Sequence, residues 1–331
     1  MTSNHMFLLT TVLALYYPFC TAKVEPTAPP SNARLAELWQ SPEAAGARPI
    51  ASRDVFSGPW GSENAPDPHA IYTFVERKQH GTNPGITVLD PKGREWHVKQ
   101  PPHTEQGAEG PVEIVLSRIL SAVGYHQPPV YFVPSLTVKD ESGTHVEPGG
   151  RFRLTEKSIK AVDNWSWQQN PFVGMRPYNG LLVILALFNS SDIKNENNVL
   201  YEVRNPGAGP KQWYVVRDLG TALGETGRLA PLRDNPDVFE RQPFILSVTD
   251  GLIRFNYHGW HQELFRQIKP LDAGFAADLL EQLTDEQWRD AFRAGGYSQQ
   301  IGGRFIARLH ERIAEARRTT PQPALVTSPS R

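Results

Sequence analysis

Asp192, Lys194 and Asn197 stand at spacings of two and three in the run Ser-Asp-Ile-Lys-Asn-Glu-Asn-Asn-Val-Leu-Tyr at 191–201, and Asp218 follows in a second acidic turn, Asp218-Leu219-Gly220. Phosphoryl transfer asks a protein mainly for positioning and charge neutralisation. An Asp for an attacking hydroxyl, a nearby Lys, and Asn and Asp side chains to hold a hard divalent cation are a sufficient set. These four residues stand in that order. Taken singly, each has a plainer use: Asp192 as a cap or turn aspartate after an apolar helix, Lys194 as a solvated surface charge, Asn197 and Asp218 as turn residues. Their joint spacing favours chemistry. Upstream, Lys99 lies on the apolar-alternating stretch Trp96-His97-Val98-Lys99. A lysine facing a buried interior needs a counter-charge. Glu113 is the expected partner, with Glu109 as the alternative.

The elements that must position these groups follow from periodicity. Alternation at 71–75, 86–89 and 96–99 reads as strands, the last two joined through Asp90-Pro91-Lys92-Gly93 as a hairpin. Apolar residues at 112, 116, 119, 120 and 123, with Pro111 near the start and Gly124 past the end, predict an amphipathic helix. Two further strands are expected at 130–138 and 152–159, separated by a polar turn ending in Gly149-Gly150. The stretch 180–188 is apolar on all sides and predicts a buried helix. Helical patterns follow at 244–255, 259–268, 273–283, 285–294 and 301–318. A strand-rich front with one helix and a helical back predict an α+β fold of two lobes, with a small-molecule site in the cleft between them. The expected boundaries are a lobe at 66–165 and a helical lobe at 166–318, preceded by a Pro/Ala-rich linker at 23–65 with one short helix at 33–40, and followed by a disordered tail at 319–331.

With those pieces in order, the sequence resembles the protein-kinase-like superfamily in its atypical branches. Asp192-Ile193-Lys194-Asn195-Glu196-Asn197 is similar to the kinase catalytic loop, Asp218-Leu219-Gly220 to the metal-binding Asp-Phe-Gly turn, and Trp96-His97-Val98-Lys99 to the strand whose Lys holds the nucleotide phosphates. The stretch from Glu113 to Pro128-Pro129 looks most like the HipA-type and phosphoinositide-kinase branches, and the secretory-pathway atypical kinases are a comparable relative. The resemblance covers roughly residues 70 to 225. It implies a kinase-like fold, ATP with Mg²⁺ (or Mn²⁺) as cofactors, and transfer of the γ-phosphoryl to a hydroxyl of a protein Ser/Thr, a sugar or a lipid. It assigns Asp192 and Lys194 to catalysis, Lys99 and Glu113 to the nucleotide, and Asn197 and Asp218 to the metal. Several family features are missing. No G-x-G-x-x-G loop is present, with His80-Gly81-Thr82-Asn83-Pro84-Gly85 the nearest substitute; Ser190-Ser191 replaces His-Arg; no Ala-Pro-Glu follows Asp218; and residues 204–212 read as an enlarged hairpin turn. A catalytically silent kinase-fold protein and an exported binding or scaffold protein are the rival readings.

Composition bounds the rest. The chain has 331 residues, a net charge of -1 and one cysteine, Cys20. The charge balance gives no footprint for nucleic acid. Residues 7–19 are nearly all apolar and small residues follow at 20–22, which reads as a signal peptide cleaved before Lys23. The run is short for a membrane span. The expected location is therefore secreted, periplasmic or in a secretory lumen; a retained anchor, or a cytoplasmic chain with a misassigned start, is the alternative. Without Cys20 there is no disulfide and no thiol chemistry. His258 and His261 have spacing three, yet no HExxH pattern accompanies them. The oligomeric state is not written in the sequence.

Overall fold

The computed structural model describes residues 36–44, 46–79, 83–102, 108–204 and 211–320. The expectations for a signal peptide, for Cys20, for the loop at 80–82, for most of the 204–212 turn and for nearly all of the tail fall outside them.

After a short β1 (Ala36–Glu37), the chain builds a barrel from β2 (Ile71–Arg77), β3 (Gly85–Leu89), β4 (Glu95–Lys99), β5 (Val130–Asp140) and β6 (Gly143–Leu154), with helix α1 (Glu109–Ala122) between β4 and β5. The strands follow the order β2-β3-β4-β6-β5 and close through a parallel β2–β5 pairing. Inward positions are apolar: Tyr72, Val88, Trp96, Val138 and Phe152 have no exposure, and Trp96 meets Tyr131 and Phe152 edge-on. Outward positions on β4 and β6 carry charge, because the strand period of two sends neighbours to opposite faces. β7 (Ile159–Asp163), β8 (Asn198–Val203) and β9 (Gln212–Val216) complete a second sheet in the order β1-β9-β8-β7. Helix α2 (Arg176–Leu187) lies between β7 and β8. Beyond β9 come α3 (Pro236–Arg241), the hairpin β10 (Ile245–Thr249) and β11 (Leu252–Phe255), α4 (Gln262–Phe265), α5 (Pro270–Leu280), α6 (Asp285–Ala294) and α7 (Gln299–Thr319). The result is mixed α+β, with a β-rich amino-terminal part and a mainly helical carboxyl-terminal part.

One large core joins α1, α2 and α5 to α7, and α2 is buried from Leu181 to Leu187 on every side. The barrel has its own core. Helix α1 belongs to the helical core yet also leans on β5 and β6, so it couples the two parts. Its end is a Schellman arrangement: Tyr125 N–H reaches Leu120 O at 2.9 Å around Gly124, whose φ is 107°.

Four expectations need correction. Residues 244–255, expected as helix, form the β10–β11 hairpin; Asp250-Gly251 at its tip has φ of 52° and 72°, the two positive values that a two-residue primed turn demands. The strand expected at 152–159 is two: β6 starts at Gly143 and ends at Leu154, and β7 begins at Ile159. Gly149-Gly150 therefore lies inside a strand, where a Cβ would meet Val133 O at 1.9 Å or Lys99 O at 2.1 Å. Close backbone approach, and not a turn, requires these glycines. The short helix expected at 33–40 is instead, within the described residues, β1 paired in parallel with β9, followed by a Trp39–Tyr125 bridge. The described part of the linker at 23–65 buries Leu38, Ile50 and Val55 in the helical core.

Candidate active site

The cleft lies where the outward face of β4 and β6 looks onto the α2–β8 loop and the end of β9. It encloses about 550 Å³, and its lining includes Lys99, Asp192, Lys194, Asn197 and Asp218. Glu113 sits behind Lys99, buried on α1.

Register explains the first part of this convergence. Asn198 pairs with Val216 in the antiparallel β8–β9 ladder, and Arg217 N–H continues it to Asn197 O at 3.1 Å. Asn197 and Asp218 therefore leave the sheet side by side, although 21 positions separate them in the chain. Asp218 takes a left-handed backbone, φ 52°, which an aspartate tolerates better than most residues. Gly220 follows because a Cβ there would lie 2.6 Å from Glu109 Cβ.

The loop carrying Asp192 is tied down on both sides. Leu223 N–H donates to Phe188 O and Ser191 N–H to Thr221 O, at 2.8 and 3.0 Å, so the segments after α2 and after Asp218 are stitched together. Asn189, at 1 % exposure, donates to Gly224 O at 2.7 Å. Asn189-Ser190-Ser191 fits the N-x-[ST] glycosylation pattern, but its asparagine is buried and structurally committed. From α7, Arg312 donates to Leu187 O at 2.6 Å and Asn189 Oδ1 at 2.9 Å, closing the C-terminus of α2. Nothing in the local sequence marks Arg312 for this; only the packing of α7 on α2 does. Asp192 Oδ1 pairs with Lys194 Nζ at 2.8 Å, while the Asn197 amide nitrogen donates to Asp192 O at 2.6 Å and Oδ2 at 3.2 Å. Lys194 also lies 5.0 Å above the Trp260 ring.

Lys99 has three carboxylates around it: Glu109 at 2.6 Å, Glu113 at 3.5 Å and Asp218 at 3.5 Å. Burial lowers its pKa, but the charges of Glu113, Asp218 and Glu109 outweigh that and raise it. Burial would raise the Asp218 pKa, and Lys99 with Arg151, Arg217 and Arg153 overcome it, so the carboxyl stays below its ordinary value. The closest partner of Lys99 is therefore Glu109, the alternative in sequence. Glu113 instead divides its carboxylate between Lys99 and Arg151, whose Nε lies 3.1 Å away. Glu109 also meets Arg233 at 3.0 Å and accepts from the Asn83 amide. Sequence reasoning missed Arg151, Arg153 and Arg233. A signal existed for the first two: in Arg151-Phe152-Arg153-Leu154 charge and apolar residues alternate, so both guanidiniums share one face.

Hard oxygen donors for a divalent cation are present. With its nitrogen committed to Asp192, Asn197 has its amide oxygen available, and the Asp218 side chain is 36 % exposed at the cleft. Two protein oxygens suit Mg²⁺ or Mn²⁺, which complete their shells with water and phosphate. Among the described residues no cluster of three or more His, Cys, Asp or Glu could hold a metal alone, and His261 pairs with Glu263 at 3.1 Å. No helix among them is long and apolar enough to cross a membrane.

No protein-family model matches the sequence, and no curated protein matches it. Solved structures do resemble it. A proinflammatory kinase of Helicobacter pylori, CtkA, aligns at 14 % identity and a TM-score of 0.44 over 75 % of this chain and 97 % of its own. The golgi casein kinase aligns at 10 % identity and a TM-score of 0.30 over 74 % of each chain.

Proposed function

We propose that this chain is an atypical kinase that binds ATP with Mg²⁺ in the cleft and transfers the γ-phosphoryl to a hydroxyl of a protein Ser/Thr, a sugar or a lipid. One observation supports this reading above the others: Lys99, Asp192, Asn197 and Asp218 come from three separate segments of chain and line one cleft.

In this reading Asn197 and Asp218 would hold the metal, which when bound would supply neutralisation of phosphate charge. Lys99 binds phosphate oxygens, steadied by Glu109 and Glu113. Asp192 orients the acceptor hydroxyl and accepts its proton as the new oxygen–phosphorus bond forms and the bond to the leaving diphosphate breaks. Lys194, already within 2.8 Å of Asp192, neutralises charge on the moving group. Export belongs to the same proposal and rests on the apolar segment 7–19.

The test is a nucleotide thermal shift with and without Mg²⁺, followed by turnover. Wild type should gain stability with Mg-ATP. Asp218→Ala should lose most of that gain. Asp192→Ala should keep the gain and lose turnover by about 10²–10⁴-fold, the range of a general base. No shift in wild type at saturating Mg-ATP would sink the proposal. A shift without turnover would leave the catalytically silent reading, which the tight Lys99–Glu109 pairing favours.

A further inference from the structure

Positive side chains outnumber negative ones in the cleft. Six cationic and four acidic side chains line it. Three of the acids are already engaged: Glu109 by Lys99 and Arg233, Asp192 by Lys194, and Asp218 by Lys99. Arg151 has its own partner in Glu113. Two guanidiniums are left. The Arg153 side chain makes no hydrogen bond or ion pair with any described residue, the fourth acid, Glu76, included. Among the described residues the Arg217 side chain donates to a neutral group, the Tyr201 hydroxyl at 3.0 Å, and its buried Nε has no hydrogen-bond partner.

Placement makes this a shared site. Arg153 stands opposite His97 and Arg151 opposite Lys99 in the β4–β6 ladder, so all four occupy the cleft face of the barrel. Arg217 approaches from the end of β9. Arg153 and Arg217 line the same cleft, and burial together with the charges of Arg151 and Arg217 lowers the Arg153 pKa. A guanidinium does not relieve such repulsion by losing its proton. Holding like charges together in a half-buried cleft costs free energy, and an anion offsets that cost.

We infer that Arg153 and Arg217 form an anion subsite beside the Lys99–Asp218 end of the cleft, which takes a phosphate or carboxylate group through paired guanidinium donors. The inference rests on the phosphoryl-transfer reading only for the source of that group: a further phosphate of the donor, or an acidic group on the acceptor.

Pyrophosphate is the probe, titrated calorimetrically without divalent cation into the full chain. Wild type should bind it. Arg153→Gln/Arg217→Gln should weaken binding at least about tenfold, the scale of one charge-assisted hydrogen bond. Arg153→Lys/Arg217→Lys, which keeps the charge and loses the fork, should fall between and guards against a folding defect in the Gln pair. No binding to wild type or equal binding by the Gln pair would overturn the subsite. Repeating the titration with Mg²⁺ and a non-hydrolysable ATP analogue assigns the source. Binding alongside the analogue marks an acidic acceptor, and competition with it marks the donor. If pyrophosphate behaves as expected while Mg-nucleotide never binds, the subsite stands and the kinase reading falls; the opposite pattern sinks the subsite alone.

Discussion

On the barrel wall of the cleft, Lys99, Arg151 and Arg153 stand on paired strands over a packed apolar interior. On the facing wall, Asp192, Asn197 and Asp218 sit on irregular backbone held by stitches such as Leu223 N–H to Phe188 O and by the buried Arg312. The two walls solve one problem differently. A strand presents a charge rigidly because its neighbours along the chain are anchored in the core, so the difficulty there is electrostatic and is met by Glu109 and Glu113. A loop can aim a carboxylate freely, but its own N–H and C=O groups must then find partners. Rigidity on one side comes from side-chain packing, on the other from backbone hydrogen bonding.

That contrast can be broken at three points. The largest stability effect should come from the barrel: Trp96→Ala removes a fully buried ring from the core face of the strand that carries Lys99 and should cost about 3–5 kcal/mol by urea denaturation. A loss under about 1 kcal/mol would mean that the barrel interior does not set the stiffness of that wall. Arg312→Gln should cost less, about 1–3 kcal/mol, by leaving buried carbonyls without a donor. It should also lower turnover more than nucleotide binding, because it loosens the Asp192 loop and not Lys99; an equal fall in both would contradict the division between the walls.

The smallest effect is in pH dependence. Asp218 has a lowered folded pKa, so its contribution to stability is present above the unfolded carboxyl pKa and is lost as pH falls through the folded value. Lys99 has a raised one, so its contribution is present below the unfolded lysine pKa and is lost as pH rises through the folded value. Asp218→Asn should flatten the acid limb of the stability profile and Lys99→Met the alkaline limb. If neither variant changes the slopes, the charge network around Lys99 is not coupled to folding.

Much of this architecture was legible in the chain. The strand run before α1, the all-apolar α2 and the three carboxyl-terminal helices α5 to α7 follow from period alone, because each buries one face or all of it. The β10–β11 hairpin was misread as helix even though Asp250-Gly251 marks a primed turn, since its apolar residues also fit a helical spacing. Segment 36–65 looked like linker because its buried residues, Leu38, Ile50 and Val55, are scattered among prolines and have no period.

The sequence by itself determined the local kit: Asp192, Lys194 and Asn197 share one loop, and the hairpin that follows returns Asp218 beside Asn197 through a fixed register. Only the tertiary structure decided that Glu109 lies nearer Lys99 than Glu113 does, that Arg151 and Arg153 face the cleft, and that Arg312 closes α2. Spacing along a chain constrains neighbours within a turn or a hairpin. The pairing of charges from distant strands and helices depends on how whole elements pack, which no short run of residues encodes.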